Sequence, residues 1–223
     1  MSSTGKRDPR VISYISLRRI VGILGIAFPM ILVAGSILLW DCKEVQSSIS
    51  AYYHTHMRNV FVGVLSAISL FMFAYRGYGK TDAHAGTLAG VFALGVAFLP
   101  TSLTDPLTSC IPDPIENGIV GTLHNISAIG LFLVLGLISI FLFTRSSEII
   151  LGEMKRKRNW IYRTCGILII LCIALILIYS YFETKGEAYN LSDYNPVFWL
   201  ETAALWAFGL SWLTKGSTIL LDK

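Results

Sequence analysis

The chain has 223 residues, of which 54% are apolar and only 14% are charged, with a formal net charge of +4. A soluble globular domain carries about 25% charged residues, so this sequence lacks the polar surface that a water-soluble fold needs. The mean hydropathy of +0.62 agrees with that. The composition therefore excludes an ordinary soluble protein and predicts a membrane protein.

Six apolar blocks follow one another along the chain. A helix needs about 20 residues, with a range of about 17–25, to cross the hydrocarbon core of a bilayer. The second and third blocks are short, but they hold no Lys, Arg, Asp or Glu, and one short chain has nothing else to cover six such blocks. We therefore expect an all-α polytopic transmembrane bundle of six helices that forms a single domain, residues 1–223. The spans are expected at about 20–40, 59–75, 86–101, 118–143, 161–182 and 196–213.

The basic residues predict which way the helices run. All but three of the 18 Lys and Arg fall in the N-terminal arm, in the connections after the second and fourth spans, or in the C-terminal tail. The three exceptions are Lys43, Arg58 and Lys185. Cytoplasmic loops of membrane proteins carry the excess of Lys and Arg, so both termini are expected to be cytoplasmic. The same bias fits a bacterial inner membrane best.

The four cysteines divide into two pairs. Cys42 and Cys110 fall in the first and second outer loops, where an oxidising compartment allows a disulfide. The sequence does not give their separation, so two free thiols remain the alternative. Cys165 and Cys172 lie seven residues apart on the fifth helix, and we expect them to pack there as small apolar side chains.

The first outer loop is rich in polar groups. Residues 47–58 read Ser-Ser-Ile-Ser-Ala-Tyr-Tyr-His-Thr-His-Met-Arg. A helical conformation places Ser50, His54 and Arg58 on one face, whereas an extended conformation places His54 and His56 on one face. The second outer loop adds Asp105. By contrast, Asp82 belongs to the inner connection, where we interpret it as an ordinary interfacial residue.

Two ionisable residues, His124 and Glu201, are predicted inside spans, at similar depths in the fourth and sixth helices. On insertion scales a charged side chain at the bilayer centre costs about 2.5–3.5 kcal/mol, so such a residue normally faces the bundle interior. Their matching depths predict a ligand-binding pocket that opens to the outer side. Its expected residues are Ser50, Tyr53, His54, Arg58, Asp105, His124 and Glu201. The alternative is structural, with His124 bonded to a neighbouring helix and Glu201 paired with Arg58.

A metal site is a second interpretation of the same residues. His54, His124 and Glu201 are side chains that zinc accepts as ligands. However, the sequence has no His-x-x-x-His or Glu-x-x-His spacing that would place two of them on one helix. No Gly-x-Ser-x-Gly elbow, phosphate loop, dinucleotide fingerprint or nucleic-acid motif occurs either. We expect no cofactor, with zinc only under the metal interpretation, and no nucleic-acid partner.

The third span carries Gly86 and Gly90, a small-xxx-small pair that lets two helix backbones approach closely. We expect this pair to pack within the bundle, and homo-oligomerisation through the same face is the alternative. The remaining expected partners are membrane lipids.

Three short motifs carry a family resemblance. They are the Ser- and Tyr-rich start of the second span (Ser50–Thr55), a Phe-Leu-Pro-Thr (Phe98–Thr101) and a Gly-x-x-His (Gly121–His124). In this order they resemble bacterial six-span proteins of the uncharacterised DUF998 type, which are similar in outline to Frag1/DRAM-like membrane proteins. The resemblance implies a six-helix membrane fold and no particular activity.

A remoter resemblance is to the alkaline-ceramidase and progestin-receptor-like superfamily of membrane hydrolases. The Ser-x-x-x-His element of that group is similar to Ser50–His54, which would imply a metal-dependent hydrolase acting on lipid. The late His-x-x-x-His metal ligands of the group have no counterpart in this chain.

The sequence thus leads to several functional hypotheses. The first is a non-catalytic pocket for a lipid headgroup or small polar ligand, with Arg58 gripping an anionic group through its guanidinium. The second is a metal-dependent membrane hydrolase acting on lipid. A transporter or channel and a structural assembly partner are further alternatives.

Overall fold

The computed structural model describes residues 9–77, 79–103, 110, 118–146, 152–186 and 191–216. Six long helices make up most of this part of the chain, and it contains no strand. A π-helical turn, Ile138–Leu142, continues the fourth helix, and two 3-10 helices lie at Ser50–His54 and Leu191–Tyr194. The six are α1 (Pro9–Trp40), α2 (Arg58–Ala74), α3 (Lys80–Phe98), α4 (Gly118–Leu137), α5 (Glu153–Thr184) and α6 (Pro196–Lys215).

The all-helical expectation is confirmed for these residues, and four segments are long and apolar enough to cross a membrane. They are Tyr14–Trp40, Gly118–Leu142, Glu153–Thr184 and Leu191–Lys215. They mark the chain as an integral membrane protein. The other two helices, α2 with 17 residues and α3 with 19, lie at the lower end of the spanning length.

The helices run alternately in opposite directions. Each packs against its neighbours in the chain, and α6 also packs against α1. We call one end of the bundle the disulfide end, because Cys42 and Cys110 are joined there with their Cα atoms 5.4 Å apart. The opposite end is the Asp82 end. Cys165 and Cys172 are free and buried within the bundle.

In the half of the bundle nearer the Asp82 end, glycines allow the backbones of neighbouring helices to approach closely. A Cβ atom added at Gly166 of α5 would lie 2.7 Å from the carbonyl oxygen of Gly136 on α4. One added at Gly209 of α6 would lie 2.6 Å from the carbonyl oxygen of Gly22 on α1. Both distances are below van der Waals contact, so these crossings accept only glycine without a shift of the helices.

The glycine pair of α3 lies against α2 of the same chain. A Cβ atom at Gly86 would come within 2.7 Å of the Met72 carbonyl oxygen. The Gly90 carbonyl accepts a hydrogen bond of 2.8 Å from the Ser69 hydroxyl. This face of α3 is therefore used inside the bundle.

An ion pair between buried Asp82 and partly exposed Arg145 closes the Asp82 end. Asp82 is fully buried, and one of its carboxylate oxygens lies 3.3 Å from the Arg145 guanidinium. The Tyr75 hydroxyl donates to the other oxygen at 3.4 Å. The guanidinium of Arg18 stacks over the Tyr14 ring at 4.2 Å. The interpretation of Asp82 as an ordinary interfacial residue was therefore wrong, because its partner comes from a distant part of the chain.

Candidate functional site

The loop before α2 is fixed to the start of α6. Asn195 caps α6 in a left-handed conformation (φ 48°) and donates from its side chain to the Val45 carbonyl at 3.0 Å. The Glu201 carboxylate accepts the backbone N–H of Ile49 at 2.6 Å and that of Ser50 next to it. A carboxylate on the first amides of a short helix satisfies donors that have no partner within the helix. Glu201 therefore sets the position of the 3-10 helix.

The 3-10 helix ends before α2 begins, which separates Arg58 from Ser50 and His54. Thr55 is extended (φ −100°, ψ 175°), and α2 starts only at Arg58. The continuous helical face expected from the spacing is therefore broken. Arg58 is exposed; it donates to the Tyr53 hydroxyl at 2.7 Å and lies over the Tyr53 ring at 4.4 Å.

His124 joins α4 to two other parts of the disulfide end. Its side chain is 1% exposed, with Nδ1 2.6 Å from the Leu99 carbonyl oxygen and Nε2 2.9 Å from the Ser50 hydroxyl oxygen. A carbonyl oxygen can only accept, so Nδ1 carries the proton. In the neutral imidazole Nε2 is then an acceptor, and the Ser50 hydroxyl donates to it.

The segment after α3 supplies a second carbonyl. His54 is buried, and its Nε2 donates to the Thr101 carbonyl oxygen at 2.7 Å. Pro100 keeps the preceding residue out of the helical region, and Leu99 is accordingly extended (φ −92°, ψ 118°). The Phe-Leu-Pro-Thr motif thus ends α3 and presents two main-chain carbonyls to two histidines.

A cavity of about 230 Å³ lies beside this network, between α4, α5 and α6. Polar side chains line one part of it: Ser48, Ser50, Thr101, His124, Asn125, Ser180 and Glu201. Apolar side chains line the part farther toward the Asp82 end: Ala128, Ile129, Phe132, Ile173, Ile176 and Leu177. Val197, at the start of α6, lies with the polar residues. The lining of the cavity is therefore divided into a polar part and an apolar part, as an amphiphilic molecule is.

The cavity reaches the surface of the bundle between α4 and α5. Its lining residue Asn125 on α4 is exposed, and Leu177 on α5 is 48% exposed. The same two helices touch through Gly136 and Gly166 farther toward the Asp82 end. The tight crossing and the cavity are thus two parts of one helix interface.

A smaller apolar recess of about 30 Å³ continues past the cavity toward α2. Four residues line both spaces: Ser50, Ala128, Phe132 and Glu201. The recess is otherwise bounded by apolar side chains, among them Phe28 and Phe61. Ser50 and Glu201 therefore stand where the larger cavity meets a narrow apolar one.

The structure brings together some of the residues expected at the pocket and separates others. Ser50, His124 and Glu201 line the cavity, and His54 is connected to it through the Thr101 carbonyl. Tyr53 and Arg58 are bonded to each other and are absent from its lining. Asp105 lies outside the described residues. The structural alternative that paired Glu201 with Arg58 does not match either, because Glu201 accepts main-chain amides.

Several cavity residues carried no signal in the sequence analysis. Thr101 is the last residue of the Phe-Leu-Pro-Thr motif and Asn125 directly follows His124, and these positions were the available signal. Ser48 and Ser180 belong to segments that meet only in the fold. Among the cavity-lining residues, Glu201 is the only Asp, Glu, Lys or Arg.

Within the described ranges, no three His, Cys, Asp or Glu side chains gather closely enough to hold a metal ion. His54, His124 and Glu201, the zinc set considered from the sequence, do not form such a group. Each of the two histidines has one ring nitrogen on a main-chain carbonyl.

No family model, curated protein or solved structure matches this chain. The resemblance to DUF998-type proteins therefore stays a prediction.

Proposed function

We propose that the cavity binds a membrane lipid, which enters sideways from the bilayer between α4 and α5. The observation that carries the proposal is the division of the lining into polar groups around Ser50 and apolar groups along α4 and α5. Hydrogen-bonding groups placed beside an apolar wall fix the orientation of an amphiphile. The exposure of Leu177 and Asn125 supports a lateral opening.

The size of the cavity supports partial entry of the ligand. Pockets that enclose a whole drug-sized molecule measure about 300–1,000 Å³, which exceeds the 230 Å³ found here. A lipid whose remaining chain stays in the bilayer needs only a small enclosed volume. A free polar solute would gain nothing from the apolar wall, so the lipid is the better occupant.

The charge of the lining supports a neutral or amine-bearing headgroup. Glu201 is the only acidic or basic residue besides His124 on the cavity wall, and it is an acid. Bringing an anionic phosphate beside a carboxylate in a medium of low dielectric is unfavourable. Arg58, which we expected to contact an anion, is held by Tyr53 instead. A hydroxyl, amide or amine headgroup therefore suits this cavity better than a phosphate.

We further propose six spans with both termini in the cytoplasm of a bacterial inner membrane. The exposed apolar side chains of α2 and α3, such as Leu70 (67%) and Val91 (52%), support contact of these helices with lipid. The disulfide supports an oxidising compartment at its own end, and the Lys and Arg excess lies toward the other. The cavity would then face the outer leaflet.

The test is photocrosslinking in lipid nanodiscs with diazirine-bearing lipids of two classes, one a neutral diacylglycerol and the other an anionic phosphatidic acid. We expect the neutral lipid to be captured preferentially on peptides that contain Asn125–Phe132 and Ile173–Ser180. Ala128→Leu, which fills the cavity, should lower that capture at least about tenfold, equivalent to about 1.4 kcal/mol.

The matched control is Ile126→Phe, which adds a bulky group on the exposed face of the same helix and should leave capture unchanged. Arg58→Ala should also leave it unchanged. Equal labelling of all lipid-facing helices, insensitive to Ala128→Leu, would overturn the proposal. Preferred capture of the anionic lipid would overturn its headgroup part.

A further inference from the structure

We propose that Ser50 is a nucleophile activated by His124, and that the cavity carries out acyl transfer from a lipid ester to water. The inference rests on the proposed lipid-binding function, since the same cavity must present the ester to Ser50. It differs from the metal-dependent hydrolase considered from the sequence, because a side-chain hydroxyl takes the place of a metal-bound water. It also differs from the helical interpretation of residues 47–58, which placed Ser50 and His54 on one face.

The geometry of the pair is that of a nucleophile and its general base. The Ser50 hydroxyl oxygen lies 2.9 Å from His124 Nε2, within the range required for proton transfer. The base is oriented by a third group, because His124 Nδ1 donates to the Leu99 carbonyl at 2.6 Å. A serine, a base and an orienting acceptor form the constellation that activates a hydroxyl for covalent catalysis. Here a main-chain carbonyl occupies the position of the usual carboxylate.

The surroundings of Ser50 fit an ester of a membrane lipid. Ser50 lines both the main cavity and the apolar recess, so this residue borders the space that a ligand would occupy. A carbonyl carbon held there leaves its hydrocarbon chain against the apolar wall formed by Ile129, Phe132 and Ile173. The side chain of Asn125, at the rim, supplies a donor on the polar side of the cavity.

The reaction balances without a metal or redox partner. The Ser50 oxygen bonds to the ester carbonyl carbon while its proton passes to His124 Nε2. The bond from that carbon to the alcohol oxygen then breaks, and the alcohol leaves with the proton from His124. Water next attacks the acyl-serine, giving its proton to His124, and the bond to Ser50 breaks as the serine regains a proton. Ester and water become carboxylic acid and alcohol.

Glu201 acts as a positioning residue in this scheme. Its carboxylate holds the backbone amides of Ile49 and Ser50 and so fixes the serine relative to His124. It touches neither the hydroxyl of Ser50 nor the imidazole in the bonds that the structure describes. Glu201→Gln keeps an acceptor oxygen for one amide and should retain part of the reactivity.

The experiment is labelling of the detergent-purified full chain with an alkyl fluorophosphonate, followed by peptide mass spectrometry. A fluorophosphonate phosphonylates serines that have an activating base, with fluoride as the leaving group. We expect the label on Ser50, none on Ser50→Ala, and a rate about 100-fold lower for His124→Asn, as general-base catalysis contributes about 10²–10⁴-fold. Asparagine keeps a donor for the Leu99 carbonyl but has no base.

Ser127→Ala is the matched control, because Ser127 lies on α4 close to His124 but does not line the cavity, and its hydroxyl donates to the Leu123 carbonyl at 2.8 Å. This variant should label at the wild-type rate. Absence of label on the folded wild-type chain overturns the inference, as does an unchanged rate in His124→Asn. Lipid capture by Ser50→Ala separates the two proposals. Capture without any wild-type labelling removes the catalytic inference alone. Labelling of Ser50 without selective capture removes the lipid-binding proposal and the lipid ester as substrate, and leaves only the activation of Ser50 by His124.

Discussion

The two ends of the bundle satisfy their buried polar groups in different ways. At the Asp82 end a carboxylate is neutralised by Arg145, and aromatic rings such as Phe143 and Trp212, 5.3 Å apart, pack around it. At the disulfide end His124 and His54 bond to main-chain carbonyls of one loop, and a cavity lies beside them. Side chains that pair with one another serve the fold. Side chains held by the backbone around an open volume are available to a ligand.

The largest expected effect comes from breaking the tight helix crossing that bounds the cavity. Gly166→Leu forces a side chain against the Gly136 carbonyl, and overpacking of this kind costs about 1–3 kcal/mol or more. We expect the midpoint of SDS-induced unfolding, followed by circular dichroism, to fall clearly. Ala128→Leu, between the same two helices but at the cavity, should stay within about 1 kcal/mol of the wild type.

Gly63→Leu is the control for adding leucine to a helix, since a Cβ there meets nothing within 4 Å. If Gly166→Leu and Gly63→Leu unfold at the same midpoint, the crossing of α4 and α5 is not tightly packed. The comparison between the ends would then fail.

The crossing of α4 and α5 shows which features of the fold the sequence alone can predict. The helices and their approximate bounds follow from apolar length, and α4 and α6 begin at the expected residues, Gly118 and Pro196. Which glycines meet across helices is decided by helix rotation, which the sequence does not give. The pair on α3 was visible as Gly86 and Gly90, whereas the contact of Gly136 with Gly166 joins residues from two helices and has no local pattern.

The candidate site was also predictable only in part, because some of its contacts join residues that are far apart in the sequence. The depth of His124 and Glu201 in their spans indicated a polar pocket, because ionisable groups avoid lipid. The bond between His124 and Ser50 spans 74 residues, and local spacing pairs Ser50 with His54 instead. Arg58 was misplaced because one helical face was assumed to continue through Thr55, where the backbone is extended.

A smaller effect is expected from the ion pair at the Asp82 end. Arg145→Met leaves the buried Asp82 carboxylate without its cation, which costs about 3–5 kcal/mol for a fully buried pair. The Arg145 side chain is 49% exposed, so solvent screening reduces this to about 1–2 kcal/mol. The measurement is the same unfolding midpoint, taken as a double-mutant cycle with Asp82→Asn.

In the Asp82→Asn background, Arg145→Met should change the midpoint little, because the interaction it removes is already gone. Lipid capture at the cavity should stay unchanged in both single variants. Loss of capture on Arg145→Met would contradict the separation of a structural end from a ligand-binding end.

The smallest expected effect is that of Asn195→Gly, at the residue that fixes the loop of the disulfide end. Asn195→Gly keeps the left-handed backbone (φ 48°) and loses the bond to the Val45 carbonyl, at a cost of about 1 kcal/mol. Asn195→Ala loses the same bond and also keeps a Cβ in the left-handed conformation without the polar side chain that lets asparagine adopt it, at a further cost of about 1 kcal/mol. The unfolding midpoint should therefore fall in the order wild type, glycine, alanine.

Fluorophosphonate labelling of Ser50 should slow in the same order, because the loop that Asn195 ties to α6 carries the serine. Equal midpoints with unequal labelling would show that Asn195 positions the loop without stabilising the bundle. Unequal midpoints with equal labelling would show that Glu201 alone holds Ser50 in place.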